Sequence, residues 1–332
     1  MDNRPDYNSP DILRLLLADP ETGKVKAERF LRTKKEDERG TYYEGYIVAY
    51  PGRYKMIAYN FDTEVCRVRN YSDFTQSQVY TNEIATHIRS RVSKNAMKVV
   101  QKAMQREMYR VAQKLALKGL KLPTRAGEEI TEERIVYDPD HFFLANCGDV
   151  YVPYADELDT LRTPNNDHFT AESVVKSYYV QVPVKNIEYA TSSLGLVSGL
   201  AGSVNLGTCE INDEDPVTVY LEMRPGENNA SGIVKAQGDE PAVMYTTFNT
   251  FGKLPESQSG LTITFDFITT HGGSHTQTID ITEHFNSAQA KDQQWILVEE
   301  VIELPEPKPQ PGSGGFKPTV GEWEDIHSEI II

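Results

Sequence analysis

Apolar and polar positions alternate with a period near two through most of the chain, the pattern of strands lying on a core. A short apolar run over 12–18 is broken by Arg14, PETG at 20–23 supplies the Pro and Gly of a turn, and 25–31 follows as a second strand. Residues 42–50 run into Pro51-Gly52, and 53–59 leave it with Tyr54, Met56 and Ala58 set against Arg53, Lys55, Ile57 and Tyr59, which predicts a hairpin or a tight β-corner. Over 83–122 the period changes. Ile84, Ile88, Val92, Val99, Ala103, Met108, Val111 and Leu115 recur mostly three or four apart without a proline until Gly119 and Pro123, so one long helix is expected.

Short strands at 134–137, 142–145 and 150–154 follow, and from 174 onward the pattern is almost wholly β. Strands are expected at 174–184, 216–223, 232–235, 244–251, 261–269, 276–281 and 295–304, separated by Gly, Asn or Pro clusters at the spacing of a sandwich. The Gly- and Ser-rich stretch 191–209 fits strand and loop, with Gly199 and Gly202 at turns. These elements divide into an N-terminal β-sandwich domain, 1–173, with a helical insertion at 83–122, and a C-terminal β-sandwich domain, 174–332. The second ends in a Pro-rich tether, 305–318, and a final strand, 320–332.

A chain of 332 residues holds enough apolar material for two cores. Its net charge of −15 argues against a surface that tracks nucleic acid throughout. The charges are segregated: 84–125 carries 11 Lys or Arg against the single acid Glu107, a surplus of ten that leaves the remainder at −25. Lys94, Lys98, Lys102, Arg106, Arg110, Lys114 and Lys118 recur at every fourth position of the expected helix, a candidate surface for phosphate, other polyanions or anionic lipid. Each step of four turns about 40° around the axis, so the row wraps most of a circle, and a solvated helix docked on an acidic body explains it more simply. Few aromatics are interleaved for base stacking, so nucleic acid is not an expected partner.

Chemistry-bearing patterns are sparse. No G-x-S-x-G elbow, H-E-x-x-H or calcium-loop pattern occurs, and no catalytic or cofactor-binding residue is assigned. The glycines of GSVNLGT at 202–208 imitate a phosphate loop without its lysine. Asp213, Glu214 and Asp215 fit a solvated turn better than a cation site. His271 and His275 flank a Gly-Gly turn, and with His284 they are the metal candidates, although an ordinary hairpin accounts for the turn without a ligand. Tyr42, Tyr43, Tyr46, Tyr50, Tyr54 and Tyr59 suit a sugar-binding face, or plain strand packing. Cys66, Cys147 and Cys209 form no C-x-x-C pair, and no uncharged apolar run reaches the roughly 20 residues that span a bilayer.

Five blocks in order, PGRYKMIAYNFDTE (51–64), NIEYATSSLGLVSGLAGSVNLGT (186–208), TTFNTFGKLPES (246–257), ITTHGGSHTQTIDITEHFNSA (268–288) and GGFKPTVGEWEDI (314–326), resemble a family of fimbrillin-like proteins from gut Bacteroidetes, similar to fimbrial anchor and accessory subunits. The resemblance implies two tandem transthyretin-like (Greek-key) β-sandwich domains in a mainly β chain, with the basic helix as an insertion in the first. It implies an exported lipoprotein on the outer membrane that assembles or anchors a fimbria or takes part in adhesion, and it carries over no catalytic residues. Partners would be other fimbrial or surface proteins, a second copy, or a host or glycan ligand. The expected signal peptide and lipid-bearing cysteine do not occur, which fits a processed or truncated chain. Such assemblies work by strand addition, and Val320, Trp323, Ile326, Ile330, Ile331 and Ile332 on their tether form the candidate exchanged strand, unless the segment folds back on its own domain. The rival expectation is a surface carbohydrate-binding or hydrolase-accessory protein, which needs paired carboxylates in an aromatic-floored cleft.

Overall fold

A computed structural model describes residues 9–38, 40–118, 134–158, 168–223, 232–234, 241–255, 260–270 and 272–306. The fold is mainly β. In chain order the first half supplies strands β1 (Leu13–Ala18), β2 (Val25–Leu31), β3 (Thr33–Asp37), β4 (Gly40–Glu44), β5 (Gly52–Asn60), β6 (Cys66–Arg69) and β7 (Gln78–Thr81), helices α1 (Thr86–Arg89) and α2 (Lys94–Leu117), then β8 (Ile135–Tyr137), β9 (Phe143–Val152), helix α3 (Ala155–Leu158) and β10 (Glu172–Ser173). The second half supplies β11 (Lys176–Lys185), β12 (Ala190–Ala201), β13 (Ser203–Asn205), β14 (Pro216–Met223), β15 (Gly232–Val234), β16 (Ala242–Thr250), β17 (Thr262–Thr269), β18 (Ser274–Asp280), helices α4 (Thr282–Asn286) and α5 (Ala288–Gln293), β19 (Trp295–Leu297) and β20 (Ile302–Glu303).

The first stack is built on an antiparallel sheet in the order β10-β9-β5-β1-β2. Both of its faces are covered, which explains why β1 is buried at all six positions instead of every second one. Leu16, Ile57 and Tyr59 face the small sheet β13-β7-β6, while Leu15, Leu17, Tyr54 and Met56 face the other way, toward Ile47 and Ala49. The expected hairpin across Pro51-Gly52 does not form. Residues 45–51 instead run as an extended strap over the sheet, and β5 pairs with β1 and β9. Arg14, the charge that interrupts the β1 run, is 8% exposed. Its guanidinium lies 4.2 Å from the Tyr71 ring centroid and 5.7 Å from those of Phe30 and Phe61, and donates to Tyr59 Oη at 3.1 Å and Glu28 Oε2 at 2.6 Å.

In the second stack, the sheet β15-β16-β11-β19, with β20 also beside β11, packs on the sheet β18-β17-β12-β14-β8. Val180, Val182 and Phe248 meet Val197, Phe265 and Phe267 in the shared core. The expected strand 295–304 is two short ones, both parallel to β11. Strand β12 is apolar on both faces and so needs a second cover. Val92, Ala96 and Val100 provide it, packing on Leu194, Leu196, Tyr220 and Ile135. The long helix therefore follows β7 in sequence yet lies on the sheet of the second half.

That helix is also shorter than its periodicity predicts. It breaks after Arg89 and restarts at Lys94, because Ser93 is extended and caps the new helix, its Oγ accepting from Ala96 N at 3.2 Å. Ser93 N and Oγ both donate to the carboxylate of Asp266, each at 2.7 Å. Asp266, on β17, is 1% exposed and also accepts from Thr276 Oγ1 at 2.9 Å.

Sheet membership crosses residue 174 in both directions. Strand β8 runs parallel to β14, and β12 continues through Gly202 into β13, which pairs with β7. A Cβ at Gly202 would stand 2.5 Å from Val217 Cγ1 and 3.0 Å from the Asp215 carbonyl, so the crossing admits only glycine. Gly199 marks no turn: its φ of 93° lies in a β-bulge inside β12 that shifts the pairing between Ser198 and Leu200.

Candidate interaction surfaces

On helix α2 the basic row divides in two. The 40° drift per step holds Lys94, Lys98, Lys102 and Arg106 within an arc of about 120°, and all four are exposed. Further drift carries Arg110 and Lys114 toward the protein. Arg110 is 6% exposed, its Nε donating to Glu107 Oε2 at 3.0 Å and its Nη2 to the Asp213 carbonyl at 2.8 Å. Lys114 pairs with the Asp213 carboxylate, and Lys118 with Glu214 at 3.0 Å, a bond that holds the Lys118 ammonium above its usual range. Among the described residues Lys94, Lys98, Lys102 and Arg106 have no ion pair or hydrogen bond.

The acidic turn at 213–215 is thus a structural clamp. Asp215 is 9% exposed, pairs with Arg134 and Arg69, and accepts from Ser203 Oγ at 2.8 Å. Together the three acids join the helix end, Arg134 just before β8 and the small sheet β13-β7-β6. The expectation of a solvated turn missed this because the cations that engage it lie about a hundred positions away in sequence.

The strap is the second surface. Ile47 and Ala49 pack inward while Tyr46, Val48 and Tyr50 point out, 69%, 79% and 87% exposed. Among the described residues no backbone N–H of 45–50 is hydrogen-bonded, and the only carbonyl of that stretch in use is that of Tyr50, which accepts from Tyr54 Oη at 2.8 Å. An extended segment with unpaired backbone and apolar side chains outward is a template for a further strand. Of the tyrosine set that suited a sugar face or plain strand packing, Tyr54 and Tyr59 are core residues, so the six do not form one face. Burial raises the Tyr43 hydroxyl to about 12, with Asp62 and Asp11 adding to the shift.

A shallow depression of about 290 Å³ is lined by Arg53, Asp149, Val150 and Tyr151. Asp149, held 2.7 Å from Lys55 and lowered by that bond, is the one acid among the described residues that line it, so they present no pair of acids for glycoside chemistry. A serine and a histidine do meet at the junction of the stacks: Ser177 Oγ is 3.4 Å from His141 Nε2. Ser177 is 5% exposed and donates to Asn249 Oδ1 at 2.5 Å, and His141 Nδ1 is 3.1 Å from Ser173 Oγ. Beside them, Asp140 accepts from Glu64, Val65 and Cys66 N, and Asn249 Nδ2 donates to the Pro139 carbonyl at 2.8 Å. The cluster fastens the linker 138–142 to both stacks and leaves the serine no open side.

The glycine turn before β18 is an ordinary hairpin: Gly272, at φ 77°, donates to the Thr269 carbonyl at 2.9 Å. His275 pairs with Phe267 at that end of β18, and His284 follows the opposite end in α4, so the strand separates them and His284 is no third ligand to a site at the turn. His271 lies outside the described residues, as do tether positions 307–318 and the whole final segment 320–332 with Val320, Trp323, Ile326, Ile330, Ile331 and Ile332.

Among known proteins, the chain is 24% identical over 290 residues to "Putative fimbrium anchoring subunit Fim4B" of Bacteroides ovatus, covering 82% of this chain and 73% of that protein. A solved "putative adhesin" from the same species shares the fold with a TM-score of 0.54 at 19% identity, covering 90% of this chain and 88% of its own. The fimbrial anchor protein Mfa2 of Porphyromonas gingivalis aligns with a TM-score of 0.46 at 10% identity, over 89% and 82% of the two chains. Residues 8–222, from before β1 to the end of β14 and including the strap, helix α2 and the acidic clamp, match the family described as Domain of unknown function (DUF5119), and the chain belongs to that family.

Proposed function

We propose that this protein is a non-enzymatic subunit of a fimbria at the bacterial surface, acting in assembly or anchoring by strand-mediated contact with other subunits. The similarity to a fimbrium anchoring subunit over 82% of the chain carries the reading. The strap at 45–50 is the contact surface we assign, since its backbone is free for pairing while Ile47 and Ala49 fix it on the sheet. The closed environment of Ser177 and His141 supports a structural role over catalysis. In this reading the two stacks are transthyretin-like units that exchange elements across residue 174, a lipid group holds the protein to the outer membrane, and the final segment 320–332 is available for exchange.

Site-specific crosslinking tests the assignment. A photoreactive residue replacing Val48 in the full chain, expressed in the producing bacterium, should crosslink to a fimbrial subunit. The same residue replacing Gln277, on β18, should not. Equal yields from both positions, or adducts only with proteins unrelated to fimbriae, would contradict it.

A further inference from the structure

The exposed half of the basic row has no counterpart in the fimbrial reading. Lys94, Lys98, Lys102 and Arg106 rise about 18 Å along one side of α2, and no acid lies on that side, because Glu107, the only one on the helix, is 1% exposed. The nearest acidic turn is already engaged: Asp213, Glu214 and Asp215 bind Lys114, Lys118, Arg110, Arg134 and Arg69. Among the described residues four cations therefore stay uncompensated, on a protein whose remainder is strongly acidic. Tyr109, 63% exposed, falls between Lys98 and Lys102 around the axis, and Leu117, 90% exposed, stands at the end of the same side.

We propose that this helix face docks on a phosphate-bearing lipid surface, with the four cations meeting head-group phosphates and Tyr109 and Leu117 entering the interfacial layer. A helix lying on a sheet is convex and offers no groove to hold a polymer, while a plane touches every long side chain of such an arc at once. An aromatic and a leucine among lysines are the composition of interfacial segments. An acidic polypeptide would be attracted by the same cations, but it gives no reason for the two exposed apolar groups. The inference rests on the surface-anchoring reading for the presence of a membrane, and it fixes which side of the protein faces that membrane.

The test uses the full chain and vesicles of phosphatidylcholine with or without phosphatidylglycerol, sedimented across a salt series. No fimbrial component is present, so the result does not depend on the fimbrial assignment. Binding should require the anionic lipid and fall steeply with salt, and the combined change Lys94→Gln, Lys98→Gln, Lys102→Gln and Arg106→Gln should weaken it about fivefold per cation. Lys94→Arg, Lys98→Arg and Lys102→Arg together should retain it, with an unchanged melting temperature as the control for folding. Tyr109→Ser with Leu117→Ser should weaken vesicle binding at every salt concentration. Wild type that ignores anionic vesicles, glutamine variants that bind as well as wild type, or binding to soluble polyglutamate that survives the loss of Tyr109 and Leu117 while vesicle binding is absent, would each overturn the proposal.

Discussion

Replacing Ser93 by alanine should loosen the helix from the second stack. The substitution removes the cap on Ala96 N, worth about 1 kcal/mol. It also removes one donor from the buried Asp266 carboxylate, a bond to a charged group worth about 1.5–3 kcal/mol. Asp266 keeps Ser93 N and Thr276 Oγ1, so the sum should lie near the lower end, about 2–3 kcal/mol. Asp266→Asn should be destabilising as well, and the double variant should cost less than the two single changes added, by about 1–2 kcal/mol. Urea unfolding followed by far-ultraviolet circular dichroism gives the energies, and amide exchange localises the loss to the first turns of α2 and to β17. A Ser93→Ala protein within 0.5 kcal/mol of wild type, together with an additive cycle, would refute the Ser93–Asp266 link and leave the first turns of the helix held by their apolar face alone.

Arg14→Ala should cost about 2–4 kcal/mol in the same assay, since the guanidinium packs among Phe30, Phe61 and Tyr71 and its loss strands the buried Tyr59 hydroxyl; a neutral change would mean that the cage contributes nothing. Burial pushes His141 down to about 4 from 6.5, so between those values the unfolded chain takes up a proton that the folded one refuses, and stability falls as the pH drops. Asp138 acts in the opposite sense: burial raises it to about 6 from 3.8, so the folded state gains stability as pH falls through that range. Between pH 6.5 and pH 4.5 the two effects largely offset in the wild type, so His141→Gln should leave the Asp138 effect alone and make the variant's melting temperature rise relative to wild type as the pH drops; a variant profile parallel to that of wild type would contradict the assignment. Lys114→Asp should lower stability by roughly 1 kcal/mol, and adding Asp213→Lys should recover part of it if the turn clamps the helix.

The sequence pattern predicts the second stack well because its inner-facing residues alternate along long strands: β14 falls where 216–223 is expected, and β16 lies within two residues of the expected 244–251. It fails where one element answers to two neighbours. Strand β5 shows an alternation that predicts one polar face, yet Ile57 and Tyr59 on that face are buried against the small sheet while the strap covers the opposite face with Tyr54 and Met56, and nothing local distinguishes a strap from a ladder strand at Tyr46 to Tyr50. The helix break at Ser93 is decided by Asp266, far away in sequence, whereas the apolar repeat runs straight through it. The charge row shows the same limit: composition reveals that cations concentrate on α2, but only the position of Asp213 and Glu214 separates those spent on the protein from those left to the solvent.

The most direct test of a fimbrial role is the distribution of fimbrial material between cells and culture medium when the gene is deleted in the producing bacterium. An anchoring or assembly subunit predicts fimbriae that are shed or misassembled, and restored by the full chain but not by one carrying Tyr46→Asp, Val48→Asp and Tyr50→Asp. Surface fimbriae of unchanged number, length and attachment in the deletion strain would contradict the account.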